Sequence, residues 1–349
     1  MPVFVIADNC DDATAERARA AGASAWPRVD PDRRGKGYAL NFAVDRLAAS
    51  RPDVAVFIDA DCLAGPDCIA TIARLAHHYQ RPIQAAYTMH APESGGAISH
   101  ISAFAVHVKN VVRPRGLQRL GLPCMLTGSG MAFPWKVLAA VRFPDEHIAE
   151  DARITTELAS AGFAPMPCME VQVSSELPAQ RAGFMSQRTR WEHGHLSMIL
   201  FEAPRLLLSL VRRPSLRVLS ILLELSVPPL SLMVAISTIA ALALAVVSYV
   251  VGSWWPLLSY LAIAAAAAGG IIAVWLRDGR EILSPRRVLQ IPRYALAKAP
   301  LYLRFVTARQ RAWIRTERPL QSVDNHSTHT TAAMHSAALA PSLETTEQG

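Results

Sequence analysis

The chain has 349 residues, which is enough for one large or two ordinary domains, and 51% of them are hydrophobic. A mean hydropathy of +0.21 is high for a purely soluble protein, so we expect part of the chain to contact lipid. The formal net charge of +7 comes largely from arginines around the apolar C-terminal third, which favours an anionic membrane surface as partner and no nucleic acid.

The cysteine pattern excludes two further classes of protein. The five cysteines are scattered, with no CxxC pair and no histidine at zinc-ligand spacing. Neither a disulfide framework nor a structural zinc site is therefore indicated. A reduced, cytosolic catalytic portion is the natural inference.

The N-terminal part alternates strand and helix patterns. Residues 3–7 form a short apolar strand that ends at Asp8, and residues 13–21 follow as a helix. A basic, glycine-containing loop over residues 33–37 precedes a helical pattern over residues 38–49. This alternation predicts an α/β fold with a doubly wound, mostly parallel sheet.

The next stretch delivers two carboxylates to a strand end. Residues 54–61 are an apolar, β-branched run that finishes in Asp59 and Asp61, spaced i, i+2. At the carboxyl edge of an α/β sheet this pair can share one divalent cation, and hard oxygen ligands suit Mg²⁺ or Mn²⁺. A strand-to-loop turn with purely local hydrogen bonds has the same pattern, so that alternative stays open.

A glycine-containing loop is the next candidate for ligand contact. Residues 66–79 are predicted as a helix, residues 83–89 as a strand and residues 98–112 as a long helix. The small residues Gly128 and Ser129 follow, and they allow backbone to approach a ligand closely. An ordinary tight turn would have a similar composition.

Two later helices carry polar groups at functional spacing. Glu150 and Asp151 open one helix, where carboxylates also interact favourably with the helix dipole. Gln187, Arg190 and Trp191 fall at i, i+3 and i+4, which places them on one helix face. That face could equally be a solvated arginine beside a packed tryptophan.

The apolar C-terminal part predicts two membrane helices. Two stretches each offer the roughly 20 apolar residues that a span needs, namely residues 218–251 and residues 255–276. The first has Glu224 as its one charged residue and is broken by Pro228-Pro229, and the second is uncharged. Arginines flank this pair on both sides, so the positive-inside rule puts both flanks in the cytoplasm of a cell with the chain in its inner (plasma) membrane. Buried helices of a soluble core are the alternative.

These patterns divide the chain into four parts. We expect a catalytic domain over residues 1–205, a membrane region over 206–288, a basic amphipathic interfacial segment over 289–318 and a disordered tail over 319–349.

The order of the motifs resembles the membrane-bound family 2 glycosyltransferases, the group of cellulose, hyaluronan and poly-N-acetylglucosamine synthases. That group has an Asp, an Asp-x-Asp, a further Asp and a Gln-x-x-Arg-Trp element. The matching residues here are Asp8, Asp59, Asp61, Asp151, Gln187, Arg190 and Trp191, and 35 residues separate Asp151 from Gln187, as in the family. The similarity extends to residues 34–41, which include Lys36, and to residues 313–318.

The resemblance implies a GT-A type nucleotide-diphospho-sugar transferase domain and a role for each matching residue. Asp151 would be the general base, with Glu150 beside it in the catalytic pair. Asp59 and Asp61 would hold the metal. The expected donor-binding residues are Asp8, Lys36, Asp59, Gln187, Arg190 and Trp191. The expected acceptor-side residues are Gly128, Ser129 and Trp191.

The sequence also departs from the family at two points. The family's domain begins with a strand and a Tyr-Asn-Glu type turn that precede the first Asp, so we expect the catalytic domain here to be N-terminally incomplete. Members that extrude their polymer carry more than two membrane helices, so processive secretion is not implied.

The resemblance implies inverting, metal-dependent transfer of a sugar from a nucleotide-diphosphate donor to a saccharide or lipid-linked acceptor, in exopolysaccharide or cell-surface glycan synthesis. Mg²⁺ or Mn²⁺ is the implied cofactor, and the implied partners are the donor, the acceptor, the lipid bilayer and further membrane subunits. Two alternatives remain open. One is a polyprenyl-phosphate glycosyltransferase, and the other is an inactive, membrane-anchored transferase-like binding subunit.

Overall fold

Seven strands form two sheets in the part of the chain that the computed structural model describes, residues 1–145 and 149–308. The strands are β1 (Phe4–Asp8), β2 (Ser24–Arg28), β3 (Val54–Phe57), β4 (Cys62–Ala64), β5 (Ile83–His90), β6 (Met131–Pro134) and β7 (Met166–Glu176). β1 and β2 pair in parallel as a two-stranded sheet, and the larger sheet has the order β3-β6-β5-β7-β4.

The strand directions differ from the expected mostly parallel sheet. β5 and β7 are parallel, but β6 runs antiparallel to both β3 and β5, and β4 runs antiparallel to β7. Met131 of β6 is opposite both Phe57 and Gln84. The predicted alternation of strands and helices is confirmed, whereas the predicted mostly parallel pairing is wrong. Strand direction depends on long-range pairing, which local periodicity does not record.

Fifteen α-helices are present in the described residues. Those of the N-terminal part are α1 (Thr14–Ala20), α2 (Lys36–Leu47), α3 (Cys68–Tyr79), α4 (Ala97–His107), α5 (Arg113–Arg119), α6 (Trp135–Leu138) and α7 (Glu150–Ser160). The later ones are α8 (Arg181–Phe201), α9 (Ala203–Arg212), α10 (Leu216–Ser226), α11 (Leu230–Val251), α12 (Trp255–Val274), α13 (Pro285–Val288), α14 (Ile291–Ala297) and α15 (Ala299–Thr307). A π-helical turn joins α4 to α5, and a second one follows α12.

The larger sheet has apolar cores on both of its faces. On one side Phe57, Phe133 and Phe143 meet edge to face, with ring centroids 5.4 to 5.8 Å apart, and α7 packs there through Ile154. On the other side Ile72 of α3 is fully buried. Helices on both faces hold the strand ends rigidly, which is what a precise site at the sheet edge requires.

The helix expected over residues 218–251 is divided in two, so its predicted start is wrong. Pro228 and Pro229 separate α10 from α11. α10 packs against the catalytic domain through the buried Ile221, and its Glu224 carboxylate accepts a 3.0 Å hydrogen bond from the Met125 amide. The apolar residues of α10 therefore belong to a protein core, which hydropathy alone cannot distinguish from a membrane span.

Within the described residues, three helical segments are long and apolar enough to cross a membrane, namely Gly183–Arg212, Leu230–Val251 and Trp255–Gly279. The most apolar stretch of the first is 33% buried within the protein, against 6% and 0% for the other two. The most apolar stretches of the latter two are almost free of buried residues, as expected of a lipid-facing helix. Part of the expected interfacial segment, residues 309–318, and the expected tail, residues 319–349, lie outside the described residues.

Candidate active site

The two carboxylates of the Asp-x-Asp pair lie where the sheet ends, in the loop between β3 and β4. Carboxylate oxygens of Asp59 and Asp61 and the thiol of Cys62 come within 4.8 Å of one another. The Asp59 amide donates a 3.1 Å hydrogen bond to the Ser129 hydroxyl, which fixes the loop against the glycine-containing segment. The arrangement offers two oxygen ligands to one cation, as Mg²⁺ and Mn²⁺ prefer.

Cys62 was not among the expected metal ligands, and the chemistry of its thiol agrees with that expectation. Burial is the main cause that raises the pKa of the Cys62 thiol, and the nearby Asp59 and Asp61 charges act in the same direction. Soft sulfur does not suit Mg²⁺ or Mn²⁺. The residues present therefore fit a hard cation held by Asp59 and Asp61.

Lys36 connects three parts of the candidate site. Its Nζ lies 2.5 Å from Asp59 Oδ1 and donates a 2.8 Å hydrogen bond to the Gly128 carbonyl. Burial lowers the pKa of the Lys36 ammonium, but the Asp59 and Glu150 carboxylates outweigh burial and hold it above its ordinary value. Lys36 is therefore a permanent cation beside the pair, which suits the binding of a diphosphate.

The glycine-containing segment approaches Lys36 and Asp151 closely. Gly128 has a φ of +88°, and a Cβ built there would lie 3.2 Å from Lys36 Nζ and 3.6 Å from Asp151 Oδ2. A side chain at this position would be strained in its backbone and would occupy the space between the cation and the carboxylate. Glycine at this position therefore allows the backbone to approach both groups closely.

The side chain of Gln84 holds the glycine-containing segment by hydrogen bonds to its backbone. Gln84 was not among the residues expected from the sequence. The side chain is 1% exposed on β5. Its Oε1 accepts a 2.9 Å hydrogen bond from the Thr127 amide, and its Nε2 donates to the Ser129 carbonyl at 2.9 Å. A lone amide inside the apolar strand was the signal, since a buried polar side chain is retained where it satisfies backbone groups.

Two residues of the first turns of α2, directly after the basic loop, contact the segment at Phe143 and Pro144. A Cβ on Gly37 would lie 2.1 Å from the Pro144 carbonyl oxygen, so only glycine allows this approach. Asn41 donates to the Phe143 carbonyl at 2.8 Å and accepts from the Phe143 amide at 3.0 Å. These contacts anchor the start of α2 and direct Lys36 towards Asp59.

Asp151 and Glu150 lie in the first turn of α7. Asp151 Oδ1 accepts a 2.8 Å hydrogen bond from the Ala152 amide, and the proximity of Gly128 places Oδ2 at the centre of the site. Burial first, and the Asp151 charge second, raise the pKa of the Glu150 carboxyl, while Lys36 and Arg190 oppose the rise. Arg190 therefore lies within electrostatic reach of this carboxylate pair.

The helix face with Gln187, Arg190 and Trp191 lies on α8, as the spacing predicted. All three side chains are partly buried. Trp191 packs against an apolar cluster that includes Leu177 and Phe184. Arg190 is the member of this face that the electrostatics connect to the carboxylates.

Asp8 lies apart from the Asp59 and Asp61 pair, on the smaller sheet. Its Oδ1 accepts a 2.5 Å hydrogen bond from Arg28, which follows directly opposite in the β1–β2 register. The same guanidinium lies 5.7 Å from the ring centroid of Tyr38, on the helix that carries Lys36. Asp8 is thus connected to the site through Arg28 and α2, and Arg28 was not among the expected site residues.

Comparison with known families decides the class of the protein. The family described as "Glycosyltransferase like family 2" matches residues 1–194, which is more than half of the chain. The chain belongs to this family. Its members transfer sugars, so the protein is a glycosyltransferase, and the matched range contains every candidate site residue named above.

One solved structure agrees with the family in fold. The mannosyltransferase PcManGT from Pyrobaculum calidifontis, in complex with GDP-Man and Mn²⁺, is 18% identical over 88% of this chain and 79% of its own, with a TM-score of 0.51. Glucosyl-3-phosphoglycerate synthase from Mycobacterium tuberculosis, in complex with Mn²⁺, UDP-glucose and phosphoglyceric acid, is 20% identical over 54% of this chain and 66% of its own, with a TM-score of 0.34. None of the curated proteins compared with the chain matches it. The expected GT-A type fold is confirmed by the first structure and the family.

Proposed function

We propose that the protein is a membrane-bound, inverting, metal-dependent glycosyltransferase of the polysaccharide-synthase type. It transfers a sugar from a nucleotide-diphosphate donor to a saccharide or lipid-linked acceptor at the cytoplasmic face of the inner membrane. The observation that carries this proposal is the meeting of Lys36, Asp59, Gly128 and Asp151 at the edge of the sheet. The matched family and the Mn²⁺ complex of PcManGT support it.

The donor side of the reaction needs positive charge. The bond that breaks joins the anomeric carbon to a phosphate oxygen, and its electron pair leaves with the nucleoside diphosphate. Asp59 and Asp61 would hold a Mg²⁺ or Mn²⁺ ion, which supplies Lewis-acid neutralisation of the leaving group when bound. Lys36 and Arg190 add permanent cations, and the planar guanidinium of Arg190 suits a phosphate.

The acceptor side needs a base. The acceptor hydroxyl gives its proton to the Asp151 carboxylate as its oxygen bonds to the anomeric carbon on the side opposite the leaving group. We propose that this hydroxyl is bound beside Gly128, whose backbone lies close to both Asp151 and Lys36. A single displacement of this kind inverts the anomeric configuration, and no covalent sugar intermediate is needed.

The surrounding side chains give each substrate a surface. Trp191 offers a flat apolar ring to a sugar, and Gln187 on the same face adds hydrogen-bonding groups. Ser129 borders the acceptor side together with Gly128. On the nucleotide side we propose the Asp8 region, where the carboxylate is oriented by Arg28.

Membrane attachment follows from the two exposed apolar segments, Leu230–Val251 and Trp255–Gly279. Arginines precede the first and follow the second, so both flanks would be cytoplasmic, with the catalytic domain. We therefore propose that transfer takes place at the inner face of the membrane, where nucleotide sugars are available.

A donor screen tests the proposal. The purified protein in lipid nanodiscs is incubated with Mn²⁺ and a panel of guanosine and uridine diphosphate sugars, with saccharide and polyprenyl-phosphate acceptors in separate arms. We expect metal-dependent release of nucleoside diphosphate with one donor, stimulated by one acceptor class. Binding of nucleotide sugars without turnover in any arm would instead identify an inactive binding subunit.

A further inference from the structure

A second polar face of α8 takes no part in the proposed reaction. Arg188 and Glu192 lie at i and i+4, next to the face with Gln187, Arg190 and Trp191. Arg188 Nε lies 3.1 Å from Glu192 Oε1, and the two side chains are only 13% and 9% exposed. A buried ion pair is costly to desolvate, so its presence needs a reason.

Lys298 supplies a second buried cation to the same carboxylate. Its Nζ forms an ion pair with Glu192 Oε1, and its side chain is 8% exposed. Lys298 lies at the junction where α14 ends and α15 begins. Burial, helped by the Arg188 charge, lowers the pKa of Lys298 to about 8, while the Glu192 charge opposes the change.

An aromatic ring and a hydroxyl complete the surroundings of the two cations. The Tyr294 ring of α14 lies 4.8 Å from the Arg188 guanidinium and 5.0 Å from Lys298 Nζ. Arg188 also donates to the Ser102 hydroxyl on α4. Because cations over a desolvated ring are attracted to its face, each contact fixes α14 relative to α8.

Two further contacts extend the connection along α15 and to the first exposed apolar helix. His193 Nε2 lies 3.1 Å from the Leu301 carbonyl oxygen, and its ring packs on Phe305 with centroids 5.3 Å apart. The Tyr302 hydroxyl lies 2.5 Å from Ser231 Oγ on α11. α8 is thus connected to α14, α15 and, through Tyr302, α11.

We propose that Arg188, Glu192 and Lys298 are positioning residues, which fix α8 against the α14–α15 junction and so hold Gln187, Arg190 and Trp191 at the donor site. The inference rests on the proposed function, because it assumes that this α8 face contacts the donor. Lys298 reaches Glu192 from the α14–α15 junction, and Arg188, which is on the same helix as Glu192, contacts Tyr294 of α14. These contacts fix the rotation of α8 more strictly than apolar packing of the same area, since hydrogen-bonded ion pairs are directional.

The test compares Lys298→Met with the conservative Lys298→Arg. Donor KM and kcat are measured in nanodiscs well below the unfolding temperature, and amide hydrogen exchange is followed over residues 184–201. We expect Lys298→Met to raise donor KM about tenfold or more, since displacement of a binding group by about 1 Å has large kinetic effects. Exchange over α8 should accelerate in the same variant. Lys298→Arg should restore both quantities to within about twofold of native.

Arg142→Met is the matched control, because Arg142 forms an exposed ion pair with Asp45 away from α8. It should leave both readouts unchanged. If Lys298→Met does not fold, Glu192→Gln, which keeps the side-chain volume, should show the same rise in donor KM and in exchange.

Native KM and native exchange in the folded Lys298→Met or Glu192→Gln variant would overturn the inference. Equal impairment in Lys298→Met and Lys298→Arg would also contradict it, because the cation would then matter only as packing. Absence of transfer by the native protein would refute the proposed function. The exchange measurement would still show whether Arg188, Glu192 and Lys298 order α8.

Discussion

Lys36 Nζ lies 2.5 Å from Asp59 Oδ1 and 2.8 Å from the Gly128 carbonyl oxygen, so one ammonium group joins the first turn of α2 to the loops after β3 and before β6. The three segments are distant in sequence and meet only in the folded chain. A cation in this position neutralises the Asp59 carboxylate and is available to a diphosphate. Lys36 therefore has both a structural role at the sheet edge and a proposed role in binding the donor diphosphate.

We expect Lys36→Met to weaken donor binding by about 10- to 100-fold. A hydrogen bond to a charged group contributes about 1.5–3 kcal/mol, and each 1.4 kcal/mol is about tenfold in affinity. Isothermal calorimetry with the donor identified in the screen measures the change. Arg142→Met, which removes an exposed cation elsewhere, should bind the donor as the native protein does. Native affinity in Lys36→Met would remove Lys36 from the donor site.

Asp59→Ala and Asp61→Ala should each abolish the increase in donor affinity that Mn²⁺ produces. Each change removes one oxygen ligand from a cation that is proposed to bridge the protein and the diphosphate. Calorimetric titrations of donor in the presence and absence of Mn²⁺ give the metal dependence directly. If either variant retained the native metal dependence, its residue would not be a ligand. Cys62→Ser should preserve the dependence, because the soft sulfur of Cys62 does not suit Mn²⁺.

The close approach of α2 to Pro144 predicts a large difference between two glycine substitutions. Gly37→Ala places a Cβ 2.1 Å from the Pro144 carbonyl oxygen, and such overpacking costs about 1–3 kcal/mol of unfolding free energy. Gly116→Ala, on α5, has no neighbouring atom within 4 Å and should stabilise that helix by up to about 1 kcal/mol. Thermal unfolding in one detergent or nanodisc preparation compares the two. Equal midpoints for both variants would contradict the packing described for the basic loop.

The buried Glu150 predicts a dependence of stability on pH. Because burial and the Asp151 charge raise the pKa of Glu150 above its ordinary value of 4.5, the folded chain holds this proton at pH values where the unfolded chain has lost it. The stability that Glu150 contributes is therefore complete below pH 4.5 and is lost as pH rises through its folded pKa.

We expect Glu150→Gln to remove this decrease, so that the variant gains stability relative to the native protein as pH is raised from 4.5 towards neutrality. Unfolding midpoints measured at several pH values test the sign. Parallel curves for the two proteins would show that Glu150 has the same pKa in the folded and unfolded chain.

The sequence predicted those features of the fold that depend on local patterns. The helix that begins at Glu150 and the strand that precedes Asp59 follow from local periodicity and end signals. Strand direction did not follow, because the antiparallel position of β6 is set by pairing of Met131 with residues far along the chain. The predicted start of the first membrane helix was wrong, because the apolar Ile221 of α10 packs in the protein core.

The candidate site shows the same division. Residue types with characteristic chemistry, such as Asp59, Asp61 and Asp151, were identified from the sequence. Their supports were not, because Gln84 and Arg28 act through tertiary hydrogen bonds that leave no periodic signal. Residues that orient the candidate site are thus harder to predict from the sequence than the residues proposed to carry out the chemistry.

The central claim is that Asp151 takes the proton of the acceptor hydroxyl. The most direct measurement compares sugar transfer by native protein and Asp151→Asn in Mn²⁺-containing nanodiscs, with donor affinity determined on the same samples. Asparagine keeps the shape of the side chain but does not accept the proton, so kcat should fall by about 10²- to 10⁴-fold while the donor dissociation constant stays within about threefold of native. Turnover by Asp151→Asn at near the native rate, with the donor bound normally, would contradict the account.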